Sequence, residues 1–170
     1  MKNRVSKIIF SVMGVFFSTV VFAATCLPIQ GTVETQSIGS TEQIGVITMT
    51  SSSPSAFKKV FGGAVITGGI NGTITIPTNT NGQTELVHQM GFPGVGSIIS
   101  NNDVAQVMGV DSEGNLLVTE TAPIRAMDII NATQNGGAFV GWDGQITAKG
   151  TLNPTTGSNI FIYSGKICRK

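Results

Sequence analysis

The sequence predicts an all-β fold, a single antiparallel up-and-down β-barrel of about eight to ten strands. The chain is rich in glycine, threonine and isoleucine and poor in charge, a composition that suits strands better than helices. Short segments with apolar residues at every second position recur at regular spacing, which is typical of strands with one buried face. Turn residues separate these segments, and no stretch has the spacing of a βαβ unit. A β-sandwich is the alternative.

The alternation predicts most strand positions directly. In the last quarter of the chain, 136–168 is expected to form three strands joined by turns at Trp142-Asp143-Gly144 and 153–157. Pro123 lacks a backbone N–H, so the segment after it is expected to be an edge strand at most, through Ile129. The other predicted strands are 27–36, 43–50, 64–67, 72–77, 84–90, 95–100, 104–110 and 116–121.

At most one short helix is predicted, near 54–61. Ser53 can cap it, Pro54 fits its first position and Gly62 can end it. A serine-rich loop is the alternative, and a lid over one end of the fold is the functional interpretation of the same segment.

The first 23 residues are predicted to be a signal peptide, and 24–170 a single domain. Lys2, Arg4 and Lys7 precede an apolar run, and Val21 and Ala23 place small residues at a cleavage site. The run is short for a membrane span. We therefore expect an exported protein, periplasmic or secreted, from a Gram-negative bacterium.

The charge balance argues against nucleic acid and anionic membranes as partners. The chain has ten Lys and Arg residues, and three of them precede residue 24. The remaining seven face nine Asp and Glu residues, with no basic block except Arg169-Lys170 at the end.

The two cysteines, Cys26 and Cys168, lie at opposite ends of the mature chain. In an oxidising compartment they are expected to form a disulfide. Such a bond would place the first and last strands side by side, which is how an up-and-down sheet closes and loses its exposed edges. This favours the barrel over the sandwich. With one histidine, the chain offers a poor ligand set for a structural metal.

The tail carries a resemblance to a known family. The pattern Gly137-x-Phe139-x-Gly141-x-x-Gly144, followed by 150–152 and by 161–167, resembles the closing strands of allene oxide cyclase and dirigent proteins. The resemblance covers about the last 35 residues. It implies an eight-stranded antiparallel barrel. No position matches that family's catalytic residues, so the activity does not transfer.

No catalytic or cofactor motif is recognisable, and no cofactor is expected. His88 and Glu85, three residues apart on a strand, would point to opposite faces, so His88 is expected to be a surface residue or a satisfied structural one. Glu120 and Arg125 flank Pro123 and are expected to form a solvated ion pair at most.

Two further residues complete the list of candidates. Asp103, after Asn101-Asn102, is interpreted as turn chemistry. Trp142, the single tryptophan, is expected at a hairpin tip, where it either contacts a partner or folds back over one barrel end. The candidate contact residues are therefore Trp142, His88, Glu120 and Arg125.

Three hypotheses of function follow. The leading one is a non-enzymatic exported barrel that binds a small apolar ligand or a protein surface. The second, implied by the resemblance, is an enzyme guiding cyclisation or coupling in an apolar pocket. It predicts charged side chains inside the barrel, from Glu85, Glu120 or Arg125.

The third hypothesis is a surface or fimbrial structural subunit. Phe161 and Tyr163 resemble the aromatic-rich final strand of pilins. A Cys26–Cys168 bond, however, would leave no free strand to donate to a neighbouring subunit.

Overall fold

The computed structural model describes residues 25–127 and 135–169. The predicted signal peptide, and the end of the predicted segment through Ile129, lie outside the described residues. Among those residues, no helix is long and apolar enough to cross a membrane.

Antiparallel strands close into a barrel, which confirms the predicted fold class. Most strands pair with their neighbours in the chain, and the first strand pairs with the last, so the sheet of the described residues closes on itself. The elements, in order, are β1 (Thr25–Ile38), β2 (Glu42–Thr50), α1 (Pro54–Phe61), β3 (Val65–Ile76), β4 (Gln83–Phe92), β5 (Gly96–Ser100), β6 (Asp103–Val110), β7 (Leu116–Ala126), a 3-10 turn (Gly137–Phe139), β8 (Trp142–Leu152) and β9 (Ser158–Arg169).

β5 and β6 share one position in the barrel, so nine strands make an eight-stranded closed sheet. Both pair with β4 on one side and β7 on the other. The register joins Gln89 to Ile99 and Leu86 to Asp103, which leaves one extra residue between the paired positions on the β5–β6 side. This extra residue is a β-bulge at Asn101-Asn102, and Asn102 has a φ of 59°, in the left-handed region.

The bulge explains why the prediction for Pro123 was wrong. β7 runs through Pro123 as an interior strand, with β8 on one side. On the other side the paired residues are Thr121 with Val104 and Ile124 with Ser100, so Pro123 lies opposite the bulge. A bulge interrupts the ladder, and there a missing N–H is tolerated.

The tail contains two strands, and the prediction of three was wrong. Trp142-Asp143-Gly144 begins β8, where a turn was predicted. A 3-10 turn at Gly137–Phe139 replaces the first predicted strand. The predicted segments 64–67 and 72–77 are likewise one continuous strand, β3, because Gly68 and Gly69 keep pairing with β2.

The predicted helix is confirmed as α1, and it closes one end of the barrel. Pro54 opens it, and Gly62, with φ of 83°, ends it by donating its N–H to the Lys58 carbonyl. Ser53 makes no side-chain cap, contrary to the prediction. Phe57 and Phe61 are buried, and the Phe61 ring lies against Phe139 and Trp142. We call the end of the barrel that α1 covers the closed end. The opposite end, which we call the open end, is formed by the turns 38–42, 76–83, 110–116 and 152–158.

The Cys26–Cys168 disulfide is present, as predicted, and joins directly paired residues of β1 and β9. It lies at the closed end, beside Trp142, which pairs with Arg169. The bond therefore covalently locks the seam at which the sheet closes.

We expect the double variant Cys26→Ser/Cys168→Ser to keep the barrel but unfold more easily. The bond spans 142 residues of chain, and the chain-entropy model sets its contribution at about 4–5 kcal/mol at most. Urea unfolding of both proteins, each with and without a reductant, measures the difference. The reductant should destabilise the unaltered protein more than the double variant, because the variant has no disulfide to reduce. Equal effects on the two proteins would contradict the prediction.

Candidate functional site

A polar cluster lies inside the barrel, where the alternation would place apolar side chains. It joins His88 on β4, Ser100 on β5, Asp103 on β6 and Glu120 on β7. Asp103 and Ser100 are fully buried, His88 is 6% exposed and the Glu120 side chain is 13% exposed. Three neighbouring positions of the sheet therefore direct polar groups to one point.

The bulge brings Asp103 into this cluster. Ser100 and Asp103 are three residues apart, and on a regular strand they would point to opposite faces. The extra residue at Asn101-Asn102 reverses the alternation, so both side chains point inward. The interpretation of Asp103 as turn chemistry was therefore wrong. Asn101 and Asn102 form the bulge, and Asp103 follows it as a buried strand residue whose side chain points inward.

Asp103 accepts two hydrogen bonds through a single oxygen. His88 Nδ1 lies 2.7 Å from Asp103 Oδ2, and Ser100 Oγ donates to the same oxygen. Ser100 Oγ in turn accepts the His88 backbone N–H at 2.9 Å. The second oxygen, Asp103 Oδ1, is buried without a partner.

The far side of the His88 ring is held by a second group of polar residues. Its Nε2 lies 3.1 Å from Gln43 Nε2, and Gln43 Oε1 accepts from Thr35 Oγ1 at 2.8 Å and from Asn159 Nδ2 at 3.2 Å. A Cβ on Gly72 would lie 2.7 Å from His88 Nε2, so a glycine is needed beside the ring.

These contacts determine where the imidazole proton lies. Because Thr35 and Asn159 both donate to Gln43 Oε1, the Gln43 amide N–H points at His88 Nε2, which must then accept. The proton of a neutral His88 is thus on Nδ1 and is donated to Asp103. Protonation of Nε2 requires the Gln43 amide to rotate so that its oxygen faces the ring. The Asn159 amide, which donates to that oxygen, must then rotate as well.

The burial and the charges shift the pKa values of two groups. Burial lowers the pKa of His88, but the hydrogen bond to Asp103 and the negative charges of Glu120 and Asp103 outweigh it, so the pKa is raised from 6.5. Burial, assisted by Asp103, raises the pKa of Glu120 from 4.5 against the opposing effect of His88.

His88, Asp103 and Glu120 are also the candidate metal ligands among the described residues, with one ligand atom from each lying within 4.8 Å of the others. A metal ion on His88 Nδ1 would require a proton on Nε2, which faces the Gln43 N–H. The hydrogen bonds therefore fit a proton on Nδ1 better than an ion.

A cavity of about 200 Å³ occupies the open end above this cluster. Its wall is largely apolar, and its polar residues include Gln43, Glu120 and Asn159. A smaller inner cavity of about 30 Å³ lies against His88 and Tyr163, and Gln43 and Glu120 border both cavities. Glu120 thus stands between the open-end cavity and the buried histidine.

The four predicted contact residues lie in different parts of the structure. His88 is buried and satisfied inside the barrel, and Glu120 lies beside it. Arg125 is exposed and donates to the Ala126 carbonyl. Trp142 is 4% exposed, so it folds back over the closed end and is not an exposed contact.

Sequence reasoning missed Ser100, Gln43, Thr35 and Asn159. One signal was available for Thr35 and Asn159, since each occupies an inward position on a strand whose other inward residues are apolar, such as Val33 and Phe161. The spatial meeting of these residues depends on the strand register, which one sequence does not specify.

No protein-family model matches the chain, and neither a curated protein nor a solved structure matches it.

We expect stability to fall as the pH rises through the raised pKa values of the cluster. A group whose pKa is raised by folding contributes stability that is fully present below its unfolded pKa and is lost above its folded pKa. For Glu120 the loss begins above 4.5, and for His88 above 6.5. Urea unfolding between about pH 5 and pH 9 measures both steps.

Glu120→Gln should remove the lower step and reduce the upper one, because the Glu120 charge helps to raise the pKa of His88. Glu85→Gln is the matched control, since it removes the same charge from the outward face of β4. Superimposable pH profiles for Glu120→Gln and the unaltered protein would contradict the assignment.

Proposed function

We propose that this protein is an exported barrel that binds a small ligand with an apolar body and one polar group in its open-end cavity. The observation that carries the proposal is the cavity itself, an apolar wall over a polar floor. Ligand sites have this composition in general, with a few placed polar groups that set orientation. The Cys26–Cys168 bond is compatible with export.

The size of the cavity limits the ligand. At about 200 Å³ it lies below the range of about 300–1,000 Å³ that drug-sized ligands occupy. The ligand is therefore small, or its far end extends past the rim. The closed end is filled by Phe57, Phe61 and Phe139, so we place entry at the open end.

A second candidate function is acid–base catalysis in the same cavity. The enzyme hypothesis required a charged side chain inside the barrel, and Glu120 is one. Its carboxyl borders the cavity and contacts a histidine whose other contacts hold it in place. The relation to allene oxide cyclase and dirigent proteins stays a prediction, because a closed antiparallel barrel does not by itself tie the chain to that family.

The fimbrial hypothesis gains the least support. β1, the strand nearest the amino terminus of the predicted mature chain, pairs with β9 over Thr25–Gln36 and with β2 over Gln30–Ile38. β1 is thus held in the sheet of its own molecule, and its central part is paired on both sides.

We expect Ala105→Trp to abolish ligand retention. Ala105 lines the open-end cavity, and an indole there would fill it. Native mass spectrometry of protein purified from its own host should show a mass adduct on the unaltered chain and none on Ala105→Trp. Ile162→Trp, on the outer face of β9 where Ile162 is 70% exposed, is the matched control and should keep the adduct. An adduct that survives Ala105→Trp would refute the proposed site.

Catalysis is tested on the ligand so recovered. In D₂O, an acid–base enzyme should exchange a carbon-bound proton of the ligand for deuterium, and Glu120→Gln should slow this by about 100-fold or more. Exchange that does not depend on Glu120 would remove the catalytic candidate and leave binding intact.

A further inference from the structure

The open-end cavity has an unbalanced set of charged groups. Glu120 lies at its floor and Glu42 at its rim, and among the described residues that line it none is Lys, Arg or His. Behind the floor, Asp103 adds a second buried carboxyl group, and His88 is the basic group that forms an ion pair with both acids in the described part of the chain. The three groups carry one net negative charge when His88 is an imidazolium beside two carboxylates, or when it is neutral beside one carboxylate and one protonated carboxyl group.

The hydrogen-bonding groups are unbalanced in the same direction. Asn159 lines the cavity and is 2% exposed, yet its Oδ1 accepts no hydrogen bond. Its Nδ2 is used twice, on Thr35 and Gln43, which fixes the amide orientation. Asp103 Oδ1 is a second buried acceptor without a partner. Buried acceptors are normally satisfied, so the site lacks donors.

A ligand that corrects both imbalances carries positive charge and N–H donors. We propose that the ligand is a small apolar amine, bound as its ammonium ion with the nitrogen between Glu120 and Asn159; this rests on the proposed binding function. An ammonium group supplies up to three donors, and its hydrogen bonds to a carboxylate are about twice as strong as neutral ones. The apolar body would lie against Leu86, Val118 and Phe161, which line the same cavity.

The proposal discriminates between ligand classes. A carboxylate ligand would meet Glu120 and Glu42 with no cation to receive it. A neutral alcohol could donate to one acceptor but would leave the net charge of these three groups, His88, Asp103 and Glu120, unchanged. Selectivity for the amine is therefore the measurable consequence.

Three matched probes test it: 2-phenylethylamine, 2-phenylethanol and 3-phenylpropionate, titrated calorimetrically into the unaltered protein at about pH 8, where the amine is charged. We expect the amine to bind about tenfold or more tightly than the alcohol, and the carboxylate not to bind detectably. Equal affinity for amine and alcohol, tighter binding of the carboxylate, or no binding of the amine would overturn the proposal.

Two variants locate the effect. Glu120→Gln should reduce the amine affinity about tenfold or more and the alcohol affinity by much less, because the alcohol has no charge to lose its partner, whereas Glu85→Gln should change neither. Equal effects of these two variants would overturn the proposal. The comparison of the probes on the unaltered chain remains decisive even if Glu120→Gln does not fold.

The pH dependence gives an independent readout. The amine affinity should rise with pH as Glu120 ionises, with His88 from β4 and Asp103 from β6 as the titratable groups that face it and Glu42 at the rim. The alcohol affinity should not follow this rise. A flat amine profile would count against Glu120 as the partner of the nitrogen.

Failure of this inference is distinct from failure of the proposed function. If a neutral or anionic ligand is retained from the host and lost in Ala105→Trp, the cavity is a binding site but not an amine site. If Ala105→Trp has no effect on any ligand, the proposed function fails as well.

Discussion

The pairing of β1 with β9 is the interaction on which the rest of the structure depends. It converts a linear meander into a closed sheet, so that each strand has two partners and one of its faces is enclosed. Without an enclosed interior, a carboxyl group such as Asp103 would be hydrated, and its contact with His88 would be a weak surface pair. Closure of the sheet supplies hydrogen-bond partners for the backbone. It also creates the low-dielectric interior in which the pKa values of His88 and Glu120 are shifted.

The bulge at Asn101-Asn102 is the local departure from this regular scheme, and three features follow from it. It turns Asp103 inward, it allows Pro123 to occupy the neighbouring strand, and it separates β5 from β6. Bulges are common next to functional sites because they redirect a side chain without changing the fold. Here the redirected side chain is the one that holds the histidine.

The architecture could be predicted from the sequence because its determinants are local or covalent. Period-two alternation gave the strands, Pro54 and Gly62 bounded α1, and two cysteines indicated which strands close the barrel. The errors arose where a long-range pairing overrode a local rule. Pro123 ends strands in general, but not opposite a bulge, and Trp142-Asp143-Gly144 has turn composition yet pairs fully with β9.

The candidate site could be predicted only in part. His88 and Glu120 were identified as residues of interest, but local geometry assigned His88 no partner, and its partners come from strands far along the chain. Asp103 was misread because an asparagine pair before an aspartate has the same composition whether it forms a turn or a bulge. Only the pairing on both flanks distinguishes the two.

The two ends of the barrel differ in structure, since one is packed and covalently closed and the other contains the cavity. The disulfide and the packed aromatic rings lie at the end opposite the cavity. Substitutions at the closed end could therefore stabilise the fold without narrowing the open end. Under the proposed function, the turns around the open end would control how fast a ligand enters and leaves, so stability and ligand exchange would depend on different parts of the chain.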